Sequence, residues 1–438
     1  MIESPPKLEK KDLPKAYSAL DDINYKPLLS KINNEYQYWD KVKYISSSDN
    51  IDSQTLWHST KIQRRLNYKQ LKFGKYTFNY YITDKMQELL HEFDLNFGLS
   101  LQAKNIIPEK DKQYYLLSSI MEEAIASSQM EGASTTRKVA KEMLRKQDKP
   151  KNKGQRMIAN NYATITFLLD HKKDELSIEK LLEIHKLISS ETIDNIDEEG
   201  KIRDNDNIFL VNEKESEIAY TPPTHTELNT LLIDLIKFFN KEDEENFIHP
   251  IVKGIIIHFM LSYIHPFSDG NGRTARSLFY LYLMKRGYFL TEYLSISRII
   301  YKSKAKYEKA FLYTEHDEND LSYFLHYNLI VMKKAYEELK SYLERKINER
   351  NNTIIYNTIP EINERQATIL KIYTDNPNTI LTIKELENRF GVSNQTARID
   401  ITTLVTKGFV KEIALNKRKT GYIRSENFIS EIEKHNKK

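Results

Sequence analysis

The sequence predicts a mainly α protein, interrupted by one small β-hairpin and closed by a winged helix-turn-helix. Three observations carry that expectation. Only 12 of 438 residues are glycine, and most of the chain reads as long segments whose apolar residues recur at helical spacing. One stretch, 207–223, breaks that rhythm: IFLV and IAYT flank the polar NEKESE, two short strands around a turn. From about residue 363 the order becomes helix, helix–turn–helix and two strand-like pieces.

Composition bounds the class. A chain of 438 residues holds two or three domains. Hydrophobic residues at 40% and charged residues at 29% describe a globular protein. The net charge of +4 is dispersed over both signs and does not by itself select a nucleic-acid partner. The absence of cysteine removes disulfides and thiolate metal sites and fits a reducing cytoplasm, the expected location. The opening MIESPPKLEKKDLPK has no apolar core of the signal-peptide kind. No apolar run approaches the roughly 20 residues of a spanning helix, so no membrane partner is expected.

Taken in order, residues 1–75 read as polar linker around a helix near 28–42, followed by a helix at 83–97. A helix over 111–130 stops at Gly132, which takes the left-handed conformation without steric cost. Helices at 138–145 and 157–171 flank the basic turn KQDKPKNKGQ. Ile178, Leu181, Leu182, Ile184, Leu187 and Ile188 draw the stripe of the next helix. After the hairpin come helices at 227–239, 249–265, 274–286, 304–314 and 321–350. NNTIIYNTIP, 351–360, lacks amphipathic spacing and reads as linker. Helices follow at 364–373 and 383–390; Gly391 then turns the chain, and Ser393 caps a third reaching Leu404. FVKEIA and GYIRS flank the basic tip LNKRKT, a wing.

The densest chemistry lies in HPFSDGNGRTAR, 265–276. His265 closes a helix, and an imidazole titrating near neutrality can accept the proton of an attacking hydroxyl. Gly270, Asn271 and Gly272 allow a tight turn into the next helix, whose first N–H groups bind phosphate oxygens. Asp269 would repel an anion there unless Mg²⁺ bridged them, and Mg²⁺ favours one or two carboxylates plus substrate phosphates. Arg273 and Arg276 are three residues apart on one helical face and can clamp a triphosphate. Phe267 is the expected buried anchor of the loop and Pro266 its stiffener.

This stretch resembles the signature of the Fic family, whose members mostly transfer AMP from ATP to protein hydroxyls. The resemblance covers about 114–327 and implies a Fic-type helical core. It makes His265 the general base, Asp269 the Mg²⁺ ligand, Asn271 and the loop amides the phosphate binders, and Arg276 the γ-phosphate arginine. The loop follows the AMP-transferring pattern. Upstream, SSQMEG places Ser127 and Glu131 on one helix face, followed by Gly132, and resembles the family's inhibitory (S/T)xxxE(G/N). By that resemblance Glu131 pairs with Arg276 in the space of the γ-phosphate; read alone, it would be a solvated glutamate at a helix end. Some members also use this glutamate to remove AMP.

The hairpin at 207–221 falls where Fic proteins carry a flap that holds the target by strand addition, with Ile208 and Tyr220 as contacts; a plain structural hairpin fits the same residues. Gly200–Lys201–Ile202–Arg203 resembles the pre-flap pattern with Ile202 in place of an aromatic. Tyr307 matches a tyrosine near the nucleotide base, beside Glu308 where relatives have a second tyrosine; a core aromatic is the alternative. His249 and His258 read as packed or capping groups.

The expected domains are an N-terminal helical region (1–110), a catalytic domain with its inhibitory helix (111–335), a helix end and linker (336–362) and the winged helix (363–438). From 361 onward 14 Lys/Arg face 10 Asp/Glu. Arg398 and the wing residues Lys417, Arg418 and Lys419 suit DNA, although Asp400 shares the third helix; a protein-binding or homodimerising module fits as well. The reading is therefore an autoinhibited adenylyltransferase using Mg²⁺ and ATP on a protein hydroxyl, its own included. The rival is a DNA-binding regulator that senses nucleotide, against which the intact base His265 speaks.

Overall fold

Two helices with no polar face form the centre of the larger of two units. In Pro250–Ile264 and Asn271–Lys285 nearly every side chain is buried, so each is surrounded by other elements, and the polar side chains of the second must find partners inside. They pack on each other, and Lys112–Met130, Lys153–Asp170, Ile178–Ser189 and Leu228–Asn240 pack about them. Ile255, Phe259, Leu278 and Leu283 are fully buried there, each stabilising the fold by roughly 1.5–3 kcal/mol relative to exposure. The caps are local: Asn152 accepts from the Gln155 N–H and Ser177 from the Lys180 N–H.

The computed structural model describes residues 2–45, 51–97, 112–212, 217–241, 247–357, 359–416 and 419–436. The chain divides into the units Met1–Leu339 and Lys340–Lys438. Among the described residues the elements are mostly helical, with three two-stranded antiparallel sheets. No described helix is long and apolar enough to cross a membrane.

The N-terminal region departs from the linker read in the sequence. Helices Leu13–Asp21, Tyr25–Asn34, Trp39–Val42 and Ser53–Leu66 precede a hairpin of β1 (Lys69–Phe73) and β2 (Tyr76–Tyr80). The apolar stripe is missing because this interior is partly polar. Lys61 pairs with Asp317 at 2.9 Å, both nearly inaccessible. Buried Arg64 donates to Asn33 Oδ1, Tyr323 Oη and Gln37 O. Such pairs link segments distant in sequence, so hydropathy does not reveal them. The segment 351–357, read as linker, instead continues the helix Ser322–Asn357; no glycine or proline interrupts the backbone before Pro360.

Strands β3 (Leu210–Asn212) and β4 (Glu217–Tyr220) form the hairpin expected near 207–221, Leu210 opposite Tyr220 with a register shift before Val211. Its tip, 213–216, lies outside the described residues.

The second unit is built on a separate core that includes Leu370, Tyr373, Leu386, Ile401, Leu404 and Phe409. Helices Glu364–Asp375, Ile383–Phe390 and Asn394–Thr406 are followed by β5 (Val410–Asn416) and β6 (Lys419–Arg424), then by Phe428–Asn436. Ser393 caps the third helix by accepting from the Thr396 N–H. Asp400, which weighed against an anionic partner, turns inward and accepts from Arg365 at 2.6 Å and Asn363 at 2.8 Å. Arg398 and Lys419 are described; Lys417 and Arg418 lie outside the described residues.

Candidate active site

His265 ends the helix Pro250–Ile264 in the left-handed region, φ +49° and ψ +58°. For a residue with a Cβ this conformation is costly and persists where the surroundings impose it. Here its N–H donates to Leu261 O at 3.0 Å, its carbonyl accepts from Arg203 Nε at 3.0 Å, and Pro266 O accepts from Arg203 N at 2.9 Å. The ring nitrogen Nδ1 lies 3.3 Å from Ser262 O. A carbonyl only accepts, so Nδ1 carries the proton and Nε2 keeps its lone pair. Burial pushes the His265 pKa down, with the Arg203 charge adding to the effect, while the Ser262 carbonyl, Glu131 and Asp269 oppose it. At neutral pH the ring is therefore a neutral base.

Phe267 is fully buried. Its ring stacks on His185 at 3.7 Å between centroids. Asn271 is held in the loop: its Oδ1 accepts from the Phe267 N–H at 3.0 Å and its Nδ2 donates to Phe267 O at 2.8 Å. The Asn271 side chain thus braces the loop, and its second Nδ2 hydrogen and its backbone N–H are left for an anion. The helix starts at Asn271, three residues before the expected start at 274, with Gly270 at φ +81° in the N-cap position and no side-chain cap. Uncapped N–H groups at a helix start form an anion site.

Arg273 is inaccessible. Its Nη1 donates to Ile188 O at 3.1 Å, Asp269 Oδ1 lies 3.7 Å from Nη2, and neither Nε nor Nη2 has a hydrogen-bond partner. Buried donors left open in this way are rare and suit an absent acceptor. Asp269 keeps a half-exposed carboxylate beside them.

Arg276 is bound from the helix Lys112–Met130. Its Nε donates to Ser127 Oγ at 2.8 Å, and its Nη2 donates to Ser127 O at 3.0 Å and to Glu131 Oε1 at 2.8 Å. The fork is divided between Ser127 and Glu131 and is not a two-pronged carboxylate pair. Burial opposes the Glu131 charge, but Arg276, aided by Arg273 and Lys304, outweighs it and holds the carboxyl below its usual range. Glu131 lies on the Gly270–Gly272 turn itself: a Cβ on Gly272 would meet its Oε1 at 2.2 Å. Gly132, at φ +92°, releases the chain immediately after.

The other expectations fall around this centre. Tyr307 is buried among Phe311, Phe324 and Tyr327, its Oη 2.8 Å from His258 Nε2, and the Arg276 charge acts on it. Its surroundings are those of a core aromatic. His258 is buried and pushed down to about 3 by desolvation. His249 caps its helix through the Ile251 N–H and meets Asp94 at 3.0 Å. Ile208 and Tyr220 are partly buried at the hairpin roots.

Three residues escaped the sequence reading of the site. His185 accepts from the Gly200 N–H at Nδ1, 3.1 Å, so Nε2 carries the proton donated to Asp269 O at 2.9 Å. Burial lowers its pKa to about 4, which leaves both bonds in force at neutral pH. The signal was a lone histidine on the apolar stripe of Ile178–Ser189. Glu123, two turns before Glu131, accepts from the Ser297 N–H at 3.0 Å. Arg203, noted only as part of a pattern, touches the loop at His265 and Pro266. Neither of these two had a local signal of its contacts.

Comparison with known proteins agrees with this geometry. Residues 175–283 match the model of the Fic/DOC family, and residues 365–423 match that of an HTH domain. The protein adenylyltransferase fic-1 of Caenorhabditis elegans is 34% identical over 123 residues, 28% of this chain and 22% of that protein. The protein adenylyltransferase Fic of Aedes aegypti is 32% identical over 124 residues, 28% of this chain and 23% of that protein. The chain thus matches less than a quarter of the length of these relatives. A Fic family protein of Desulfovibrio desulfuricans G20 shares the fold, with a TM-score of 0.52 at 18% identity, covering 79% of this chain and 98% of that one.

Proposed function

We propose that this chain, whose residues 175–283 match the Fic/DOC family, is a protein adenylyltransferase restrained by its own Glu131. The observation that carries the reading is the convergence at one loop of a neutral His265, open anion donors and a carboxylate resting on Gly272. His265 Nε2 takes the proton of a Ser, Thr or Tyr hydroxyl, whose oxygen attacks the α-phosphorus of ATP. The bond to the β-phosphate oxygen breaks, and pyrophosphate leaves with its electron pair. The N–H groups of Asn271–Arg273 and the open side of Arg273 hold phosphate oxygens in place of water, and positioning supplies much of the acceleration.

Among the described residues no cluster of three acids or histidines could enclose a metal. A lone half-exposed Asp269 beside an anion cradle fits Mg²⁺, which takes few protein ligands when phosphates supply the rest. Asp269 would hold it there, and the ion would neutralise phosphate charge.

Glu131 supplies a carboxylate to Arg276 where a γ-phosphate oxygen would otherwise sit. In this reading the domains follow the bounds 1–110, 111–335 and 363–438, and the protein acts in the cytoplasm. The HTH domain presents the exposed Gln395, Arg398 and Thr402, a face suited to DNA.

Intact-mass measurement after incubation with Mg²⁺-ATP, alone and with a cell lysate, tests the assignment. An AMP adduct is expected on the Glu131→Gly chain or on lysate protein, little with wild type and none with Glu131→Gly/His265→Ala. Failure of Glu131→Gly both to bind ATP and to form any adduct would overturn it and favour the nucleotide-sensing regulator.

A further inference from the structure

The hairpin and the catalytic loop are fastened together through one buried guanidinium. Arg203 faces two ways. Toward the loop, its backbone N–H donates to Pro266 O at 2.9 Å and its Nε to His265 O at 3.0 Å. Toward the hairpin, its Nη1 donates to Asn205 O at 2.7 Å and Asp206 Oδ1 at 2.9 Å, and its Nη2 donates to Pro223 O. Residues 205–206 lead into β3 and Pro223 follows β4, so one side chain holds both roots.

Two further ties run in parallel. Tyr220 Oη donates to Tyr263 O at 2.8 Å. His185 bridges the Gly200 N–H to Asp269 O. The carbonyls that receive these ties belong to Tyr263, His265, Pro266 and Asp269, which bracket the left-handed turn at His265. A planar fork with five donors makes this set of bonds; a lysine ammonium in the same place cannot.

We propose that Arg203 is a positioning residue that couples the hairpin on which a target segment would lie to the orientation of His265. This rests on the adenylyl-transfer reading of the site. The His265–Pro266 peptide takes its direction from the two Arg203 bonds, and the hairpin roots take theirs from the same guanidinium. A shift at one end is therefore felt at the other. Among the described residues Arg203 makes no hydrogen bond or ion pair to Arg273, Arg276 or the helix start, so the phosphate cradle stands apart from the linkage.

The test uses the full chain carrying Glu131→Gly, with Arg203→Lys and Tyr220→Phe added singly. Arg203→Lys keeps the charge, and Tyr220→Phe removes one hydroxyl, so each spares the fold more than an alanine. Pyrophosphate release from Mg²⁺-ATP, with the chain itself as acceptor, is expected to slow roughly 100-fold for Arg203→Lys, the order of loss from an ångström-scale misplacement. Tyr220→Phe is expected to slow it severalfold. The Kd for Mg²⁺-ATP should stay within about twofold. Hydrogen exchange should rise together in the hairpin peptide and in the peptide 261–267 of Arg203→Lys. Unchanged turnover, or ATP affinity falling in step with it, would overturn the coupling. Should the parent neither bind ATP nor release pyrophosphate, the adenylyl-transfer reading fails by itself. Exchange then decides the linkage: a rise in both peptides sustains it, and a rise confined to the hairpin sinks it.

Discussion

At residue scale, Glu131 and Gly272 approach so closely that no methyl group fits between them, since a Cβ would lie 2.2 Å from Oε1. Gly272→Ala must therefore displace the carboxylate from Arg276. Breaking that charge-assisted bond is expected to cost about 1–3 kcal/mol. In a Glu131→Gly background the obstacle is gone, and alanine in the first helical turn should be neutral or stabilising by up to about 1 kcal/mol. Thermal unfolding of the four chains closes this cycle; equal losses in both backgrounds would mean the clash lies elsewhere. The residues of this contact were legible because turn and helix start are local chemistry. Asn271 was legible only as a member of the loop, since the direction of its amide depends on the Phe267 backbone.

At the scale of the element, the helix Lys112–Met130 leads into Glu131, the proposed restraining group, and is tied down far from it. Glu122 receives Lys141 at 2.7 Å and Arg137 at 2.5 Å. Glu123 is buried and accepts from the Ser297 N–H and from Ser295 Oγ, at 3.0 and 3.3 Å. Glu123→Ala would leave the Ser297 N–H open in the interior and loosen this helix against Ile296–Lys302. Basal AMP transfer should then rise severalfold over wild type, and the same change should bring no further rise once Glu131 is glycine. A radiolabelled ATP assay on the single and double variants reads both, and a rise persisting without Glu131 would detach Glu123 from the restraint. The helix itself was legible from its apolar content. Its acids were not, because Glu122 meets side chains 15 and 19 residues on, across a turn, and Glu123 meets groups 172 and 174 residues away.

At the scale of the molecule, each unit has its own core, and the smaller is centred on residues such as Leu370, Tyr373 and Leu404. Leu370→Ala removes fully buried volume and should destabilise its unit by about 2–5 kcal/mol. Calorimetry is expected to show one transition moving while the other stays. Equal movement of both would mean the units unfold as one.

The sequence alone determined the helical class, the winged-helix order, the loop from His265 to Arg276 and the candidate restraining segment. Each of these is written in neighbouring residues, through helical spacing, caps, glycines at turns and a motif of adjacent side chains. Only the tertiary structure decided that the N-terminal region is helical around buried polar pairs, that Asn271 braces the loop, that Glu123 ties its helix to Ser297, and that His185 and Arg203 meet at the site. Except for Asn271, whose partner Phe267 is four residues away, those outcomes depend on polar groups paired across the chain. Burial makes such pairs necessary, but no local pattern records which partner each will meet.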